Sequence, residues 1–98
     1  MNLYTYGGKF FGKRDGNELW THDGRHVGRF SGNEVYNKHG KYIGELKNGK
    51  LITKISNSSS VSGFMPSLNH VGSVPSVNQV GSVLPVGFVD FPSPDELD

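Results

Sequence analysis

The chain contains neither cysteine nor alanine. Without cysteine, disulfides, thiolate metal sites and a cysteine nucleophile are excluded. With no alanine and fourteen glycines in 98 residues, the composition favours turns and strands over helices. No stretch approaches the roughly 18 apolar residues of a membrane helix, and the first residues lack the basic and apolar blocks of a signal peptide. We therefore expect a soluble, non-secreted, cytoplasmic protein.

Charge is distributed unevenly along the chain. All ten lysines and arginines lie between Lys9 and Lys54, together with five acidic residues, so this segment carries a net charge of +5. The remainder holds four acidic residues and no cation. The asymmetry indicates two halves with different roles, although a solvated repeat surface followed by an acidic terminus is the simpler interpretation.

A sixteen-residue repeat dominates the first half. Leu3–Glu18, Leu19–Glu34 and Val35–Lys50 align without a gap, and a fourth copy begins at Leu51 and fails after four residues. Each copy opens with an aliphatic residue and a large residue, then has a glycine–cation pair and a bulky residue followed by glycine. The aliphatic column is Leu3, Leu19, Val35 and Leu51, and the large column is Tyr4, Trp20, Tyr36 and Ile52.

Two turn signals in each copy predict two strands per copy. Asp23-Gly24, His39-Gly40 and Asn48-Gly49 suit the positive-φ positions of tight hairpin turns. The segments between them are short and rich in β-branched and aromatic residues, as strands require. The predicted strands are 3–6, 9–14, 18–21, 25–30, 34–37, 41–46 and 50–54. We expect an all-β fold, an antiparallel meander of three hairpin repeats plus a half-repeat, followed by an extended tail.

Each longer strand contains an internal glycine, at Gly12, Gly28 and Gly44. Glycine weakens a strand, so a repeated one indicates a structural need. Two explanations are open: the glycines make room for a neighbouring tyrosine or tryptophan ring, or they let the strands bend towards a shared centre.

These Gly and aromatic columns resemble the four-fold β-flower domain, a small bacterial and phage-associated module. The resemblance covers Leu3–Lys54 and implies four hairpins around a pseudo-four-fold axis; it implies no particular activity. Three whole hairpins are present, 9–21, 25–37 and 41–54, and residues 3–6 form half of a fourth. The missing half would come from the tail or from another subunit. The innermost ring would then be either Phe11, Val27 and Ile43 or the aliphatic column.

The composition divides the chain into a repeat domain at 1–55, a Ser-rich flexible linker at 56–65 and a Val/Gly/Ser/Pro tail at 66–98. The tail carries a nine-residue repeat over 66–83. One interpretation is a partly ordered appendage. The other is a strand donor that folds back or binds a partner, with Phe88, Val89 and Phe91 as anchors. The last four residues are expected to be solvated or to contact the basic face of the repeats.

Catalytic patterns are missing from the sequence. No serine elbow or paired nucleophile and base is present, and the carboxylates lie where turns are expected. His22 and His26 flank a turn, but zinc requires three or four ligands with a recognisable spacing. We therefore predict no catalytic residues, no metal, no cofactor and no enzymatic activity.

The cations form the most suggestive pattern. Lys9, Arg25 and Lys41 each follow a turn glycine, and Lys13 and Arg29 recur four residues later. Aromatic residues predicted to be exposed lie beside them: Tyr6, Phe10, His26 and Tyr42. Basic and aromatic groups together suit an anionic nucleotide-like ligand or a nucleic acid. Against this, Glu45 interrupts the second column and the isoelectric point of about 8.0 is modest.

Two hypotheses follow from the sequence. The first is a non-catalytic structural or protein-interaction module that presents a repeated β surface to an unknown protein or to a second copy of itself, with no membrane involved. The alternative is a protein that sequesters an anionic small molecule or nucleic acid on the basic and aromatic residues.

Overall fold

The computed structural model describes residues 1–57, 59–67, 81 and 83–97. Eight strands form one sheet in which each strand pairs antiparallel with the next along the chain. The predicted all-β hairpin meander is confirmed, and the seven predicted strands begin and end within two residues of the observed ones. The strands are β1 (Asn2–Tyr4), β2 (Phe10–Asp15), β3 (Glu18–Thr21), β4 (His26–Ser31), β5 (Glu34–Tyr36), β6 (Tyr42–Lys47), β7 (Lys50–Lys54) and β8 (Phe88–Asp90), and a short 3-10 helix follows at Pro94–Glu96.

Two-residue turns close one end of the sheet. Gly16 and Gly32 each occupy the first turn position with φ near 61° and 62°, the type II′ pattern whose twist matches the flanking strands. The third turn uses Asn48 and Gly49, both with positive φ. Asn48-Gly49 is the positive-φ hairpin turn that the sequence predicts, and Gly16 and Gly32 occupy the positions equivalent to Asn48 in the first two copies, so the local sequence sets the hairpin register.

A β-bulge recurs in each repeat. Leu3 pairs with Gly12, but Tyr4 pairs with Phe10, so Phe11 is an extra residue in its strand. The same register shift occurs at the two following repeats. An extra residue lets the bulky column and the aliphatic column face the same side. Both proposed inner rings therefore belong to one core: Leu3, Phe11, Leu19, Val27, Val35 and Leu51 are buried, and Ile43 packs against them.

The sheet curves until its two ends meet at β7. Thr5 forms a parallel bridge with Leu51, and the Tyr6 N–H donates to the Leu51 carbonyl at 2.8 Å. β8 pairs with the other half of β7, from Ile52 to Lys54. β8, a strand from the tail, thus extends the sheet beyond β7.

The internal glycines are close to neighbouring atoms, but the neighbours differ from those predicted. A Cβ on Gly44 would contact the Phe91 ring, and one on Gly28 would lie 2.9 Å from Val35 Cγ1. A Cβ on Gly12 would lie 2.9 Å from Thr21 Cα. The glycines therefore make room for backbone, aliphatic side chains and a phenylalanine. The prediction of tyrosine or tryptophan rings in that space is wrong, because those rings lie on the other face of the sheet.

That outer face is covered by residues 59–67, which include part of the stretch predicted as a flexible linker. The N–H groups of Val61 and Phe64 donate to the carbonyls of Gly40 and Lys38 at 2.8 and 2.9 Å. Trp20 and Tyr36 are buried on this face. The nine-residue repeat at 66–83 lies mostly outside the described residues.

Candidate functional site

The three cations that follow turn glycines are held by the same local device. Thr5, Thr21 and Asn37 each accept, through a side-chain oxygen, the backbone N–H of the cation four residues later, at 3.2, 3.1 and 3.0 Å. Gly8, Gly24 and Gly40 supply the positive φ that each turn needs. Because alternate turns of a meander lie at one end of the sheet, Lys9, Arg25 and Lys41 share that end.

Their surroundings differ. Lys9, Lys13 and Lys41 are exposed, whereas Arg25 is bound within the chain. Its Nη1 and Nη2 atoms donate to the carbonyls of Leu97 and Pro94 at 3.0 and 2.8 Å, and its Nε lies 3.2 Å from Asp23 Oδ2. The planar guanidinium suits two carbonyls and a carboxylate at once. Each alternative for the last residues holds in part: Asp95 and Glu96 are exposed, whereas Leu97 is buried and its carbonyl contacts the basic end of the sheet. Asp98 lies outside the described residues.

Replacing Arg25 with alanine should release the short 3-10 helix. We expect the free energy of unfolding to fall by about 1–2 kcal/mol, because two charge-assisted hydrogen bonds are lost from a partly exposed site. Hydrogen exchange of the Glu96 and Leu97 amides should become faster. Lys41→Ala, at the equivalent exposed position, should change neither quantity, and an equal response of both variants would contradict the assignment.

The buried threonine of the second turn also controls a carboxyl group. Thr21 Oγ1 donates a hydrogen bond to Asp23 Oδ1. This bond holds the pKa of Asp23 below its ordinary value of 3.8, with a further contribution from Arg25. Asp23 therefore stabilises the fold while ionised, and this contribution disappears as the pH falls through its lowered pKa.

Thr21→Val should raise the pKa of Asp23 towards 3.8 and cost about 1–3 kcal/mol, since the Arg25 N–H loses its side-chain acceptor. The difference in stability from the unmodified chain should become smaller below that pH. A carboxyl titration by NMR and urea unfolding at two pH values measure both effects. Thr21→Ser, which keeps the hydroxyl, should leave the pKa low.

A second cluster lies on the outer face of the sheet, around His26. Its ring lies between those of Trp20 and Phe64, with centroid distances of 4.8 and 4.9 Å. Nδ1 accepts the Ser67 N–H at 2.9 Å, so the proton of the neutral ring is on Nε2. Nε2 is 2.7 Å from Glu18 Oε1, although the direction of its N–H is poor for a hydrogen bond.

Arg29 completes this cluster. Its Nε atom contacts both carboxylate oxygens of Glu18 at 3.0 and 3.1 Å, and its guanidinium lies 4.7 Å from the centre of the Phe64 ring. The cation is therefore occupied by a carboxylate and an aromatic ring of its own chain. The cluster attaches residues 64–67 to the sheet.

The prediction that the neighbouring aromatic residues are exposed is wrong for three of the four. Tyr6, Phe10 and His26 are buried. Tyr6 lies where the sheet closes on β7, the Phe10 ring packs against Tyr4 and His22, and residues 64–67 cover His26. Tyr42 is half-buried, and its hydroxyl donates to Glu45 Oε1 at 2.6 Å. Burial, with this hydrogen bond, raises the pKa of Tyr42. The structure does not assemble an exposed ring of cations and aromatics from these residues.

A cavity of about 430 Å³ lies beside Lys9. Phe10, Phe91 and His22 line it, but so do the carboxyl groups of Asp90 and Glu96. Two carboxylates beside one lysine disfavour an anionic ligand, because the repulsion by two negative charges opposes the attraction of one positive charge.

The three predicted tail anchors lie in different environments. Phe91 is buried and meets Phe11 edge to face at a centroid distance of 5.1 Å. Phe88 is half-buried, with Lys47 Nζ 5.6 Å from its ring centre. Val89 is 45% exposed. Phe91 is thus an anchor within the chain, while Val89 is accessible to a partner.

Exposed apolar residues are concentrated in β8 and in the chain segments next to it. Five of the eight exposed large apolar residues of the described chain belong to what we call the β8 edge patch: Ile55, Val83, Leu84, Val86 and Val89. Ile55 is held there by its N–H, which donates to the Gly87 carbonyl at 3.0 Å. β8 is the last strand of the sheet, and no strand of the described chain pairs with its outer edge.

Several of these residues were not identified from the sequence. The Thr5, Thr21 and Asn37 column could have been found, because it repeats every sixteen residues and precedes each turn. Phe64 and Leu97 carry weaker signals: Leu97 is an isolated large apolar residue between acidic residues, and Phe64 is the one phenylalanine, tyrosine or tryptophan between Tyr42 and Phe88. The β8 edge patch depends on a strand pairing that no local pattern predicts.

Comparison with protein-family models, with curated proteins and with solved structures finds no match. Within the described ranges, no group of three or more histidine and acidic residues could hold a metal ion. No helix in the same ranges is long and apolar enough to cross a membrane.

Proposed function

We propose that this chain is a non-catalytic protein-interaction module, and that its contact surface is the β8 edge patch. The observation that carries the proposal is the concentration of exposed apolar side chains beside a strand whose outer edge pairs with no strand among the described residues. Exposed apolar patches mark contact sites, and an unpaired edge offers backbone donors and acceptors to an added strand. The partner class is a protein that contributes an extended segment with apolar side chains.

The occupied cations favour this function over binding of an anion. Arg25 and Arg29 donate to carbonyl and carboxylate groups of the chain itself. Lys9 lines a cavity that also contains two carboxyl groups. A phosphate bound at Arg25, Arg29 or Lys9 would have to displace these internal partners or approach like charges.

Two variants separate the alternatives. Val86→Asp with Val89→Lys places charges in the β8 edge patch at exposed positions, so the fold should remain intact. Lys9, Lys13 and Lys41, changed together to alanine, remove the exposed cations of the predicted columns. Arg25 is left unchanged because it holds the C-terminal helix.

The measurement is co-purification of partners from the source cells, together with a thermal-shift screen against nucleotides. We expect the charged patch variant to lose partners that the triple lysine variant retains, with no nucleotide stabilising either. Nucleotide stabilisation that disappears in the triple lysine variant would instead establish the anionic-ligand alternative.

A further inference from the structure

The last ten described residues, Phe88–Leu97, form what we call the C-terminal segment. All the contacts described above that hold this segment to the sheet are with residues 7–54. The strand pairs with β7, the Phe91 ring packs on Phe11 and over Gly44, and Arg25 binds the carbonyls of Pro94 and Leu97. Asp90 Oδ2 also accepts the Gly7 N–H at 3.1 Å.

The surface that receives this segment, the acceptor groove, has four distinct features: the free edge of β7, the space over Gly44, the apolar wall at Phe11 and the donors of Arg25. Each recognises a different part of the segment. A strand edge recognises backbone, the space over Gly44 accepts an aromatic ring, and Arg25 recognises two carbonyls. Such a groove selects an extended peptide with an aromatic residue just after its strand.

The connection to this segment is much longer than the geometry needs. Adjacent strands elsewhere in the sheet are joined by connections of two to five residues, whereas residues 55–87 connect β7 to β8. The two ends of that connection meet, with the Ile55 N–H 3.0 Å from the Gly87 carbonyl. The covalent link therefore keeps the C-terminal segment close to the sheet, whereas the contacts that hold the segment are made by residues 7–54.

We propose that the acceptor groove also binds the C-terminal segment of a second copy of this chain, so that two molecules exchange their segments. The exchanged contacts are the same as the internal ones, so the balance depends on concentration. The covalent connection gives the segment an effective concentration on the order of 1 mM, and exchange of an identical element is a low-cost route to a dimer. Exchange is expected to be slow, because Phe91 and Leu97 must leave the core.

The first test mixes two full-length variants with complementary defects. Phe91→Ala impairs the segment but leaves the groove intact. Gly44→Val blocks the groove, since a side chain there meets the Phe91 ring, but leaves the segment intact. After circular dichroism establishes that both are folded, we expect a 1:1 complex in the mixture and monomers of each variant alone. Monomers in the mixture would overturn the proposal.

The second test needs no variant, so it tests segment exchange even if Phe91→Ala or Gly44→Val fails to fold. Unlabelled and ¹⁵N-labelled chains are mixed at about 1 mM and treated with a carbodiimide that joins lysines to carboxyl groups. Lys9 shares a cavity with Asp90 and Glu96, so cross-linked peptides of mixed isotope identify exchange. Cross-links of a single isotope only would refute it.

The same experiment on Val86→Asp distinguishes exchange from association through the β8 edge patch. Exchange predicts that mixed-isotope links to Asp90 and Glu96 persist in this variant, whether or not the patch binds another protein. Loss of these links in the variant would show that the copies meet at the patch, and the exchange proposal would be wrong.

Discussion

Replacing Phe91 with alanine is expected to lower the free energy of unfolding by about 3–5 kcal/mol. The side chain is 4% exposed and contacts Phe11 and the surface of Gly44. Its removal leaves a cavity where the repeats lack a bulky residue of their own, since the position equivalent to Phe11 in the fourth copy is Ser59. Urea unfolding followed by tryptophan fluorescence measures the change.

Val89→Ala is the matched control, two residues away in the chain and within β8. Its side chain is 45% exposed, so its loss should change stability by less than about 0.5 kcal/mol. Similar losses in the two variants would mean that the strand pairing, rather than the phenylalanine ring, attaches the C-terminal segment.

The strands could be predicted from the sequence because their determinants are local. Turn glycines and the aromatic column act within one sixteen-residue copy and are present in all three copies, and Asn48 takes the place of Gly16 and Gly32 in the third. Repetition removes the ambiguity that a single short strand would leave. The same regularity placed Lys9, Arg25 and Lys41 correctly at equivalent turns.

The position of a residue at a turn does not determine what it contacts. Arg25 donates to residues 69 and 72 positions away in the chain, and nothing near Arg25 in the sequence distinguishes it from Lys41. His26 is buried because Phe64 lies on its ring. Such contacts arise from chain folding over long separations, so the exposure of the predicted binding residues could not be predicted from the repeat.

The composition of the core could be predicted only in part from the sequence. The sequence left two columns as alternatives for the inner ring, because alternation along a strand places neighbouring side chains on opposite faces. The bulge at Phe11, Val27 and Ile43 breaks that alternation and brings both columns inside. The glycine after each bulky residue was the available sign, since bulges and close backbone approach are common reasons for glycine in a strand.

Gly12→Ala should have the largest effect of any single methyl addition in this glycine column. A Cβ at Gly12 would lie 2.8 Å from the Thr21 carbonyl carbon and 2.9 Å from its Cα. Backbone atoms of a paired strand cannot move aside without breaking the ladder between β2 and β3. We expect a loss of about 3 kcal/mol or more, measured by urea unfolding, or failure of the chain to fold.

Gly28→Ala tests the same glycine column at a position where the nearest atom to the added Cβ belongs to a side chain. Its Cβ would meet Val35 Cγ1 at 2.9 Å and the Tyr36 carbonyl oxygen at 3.3 Å, and a valine can shift further than a backbone can. The expected loss is about 1–2 kcal/mol. Gly16→Ala should cost about as much for a different reason, since no atom lies within 4 Å but φ is +61°. If Gly12→Ala were no worse than Gly16→Ala, steric exclusion at the bulge would not explain why glycine recurs there.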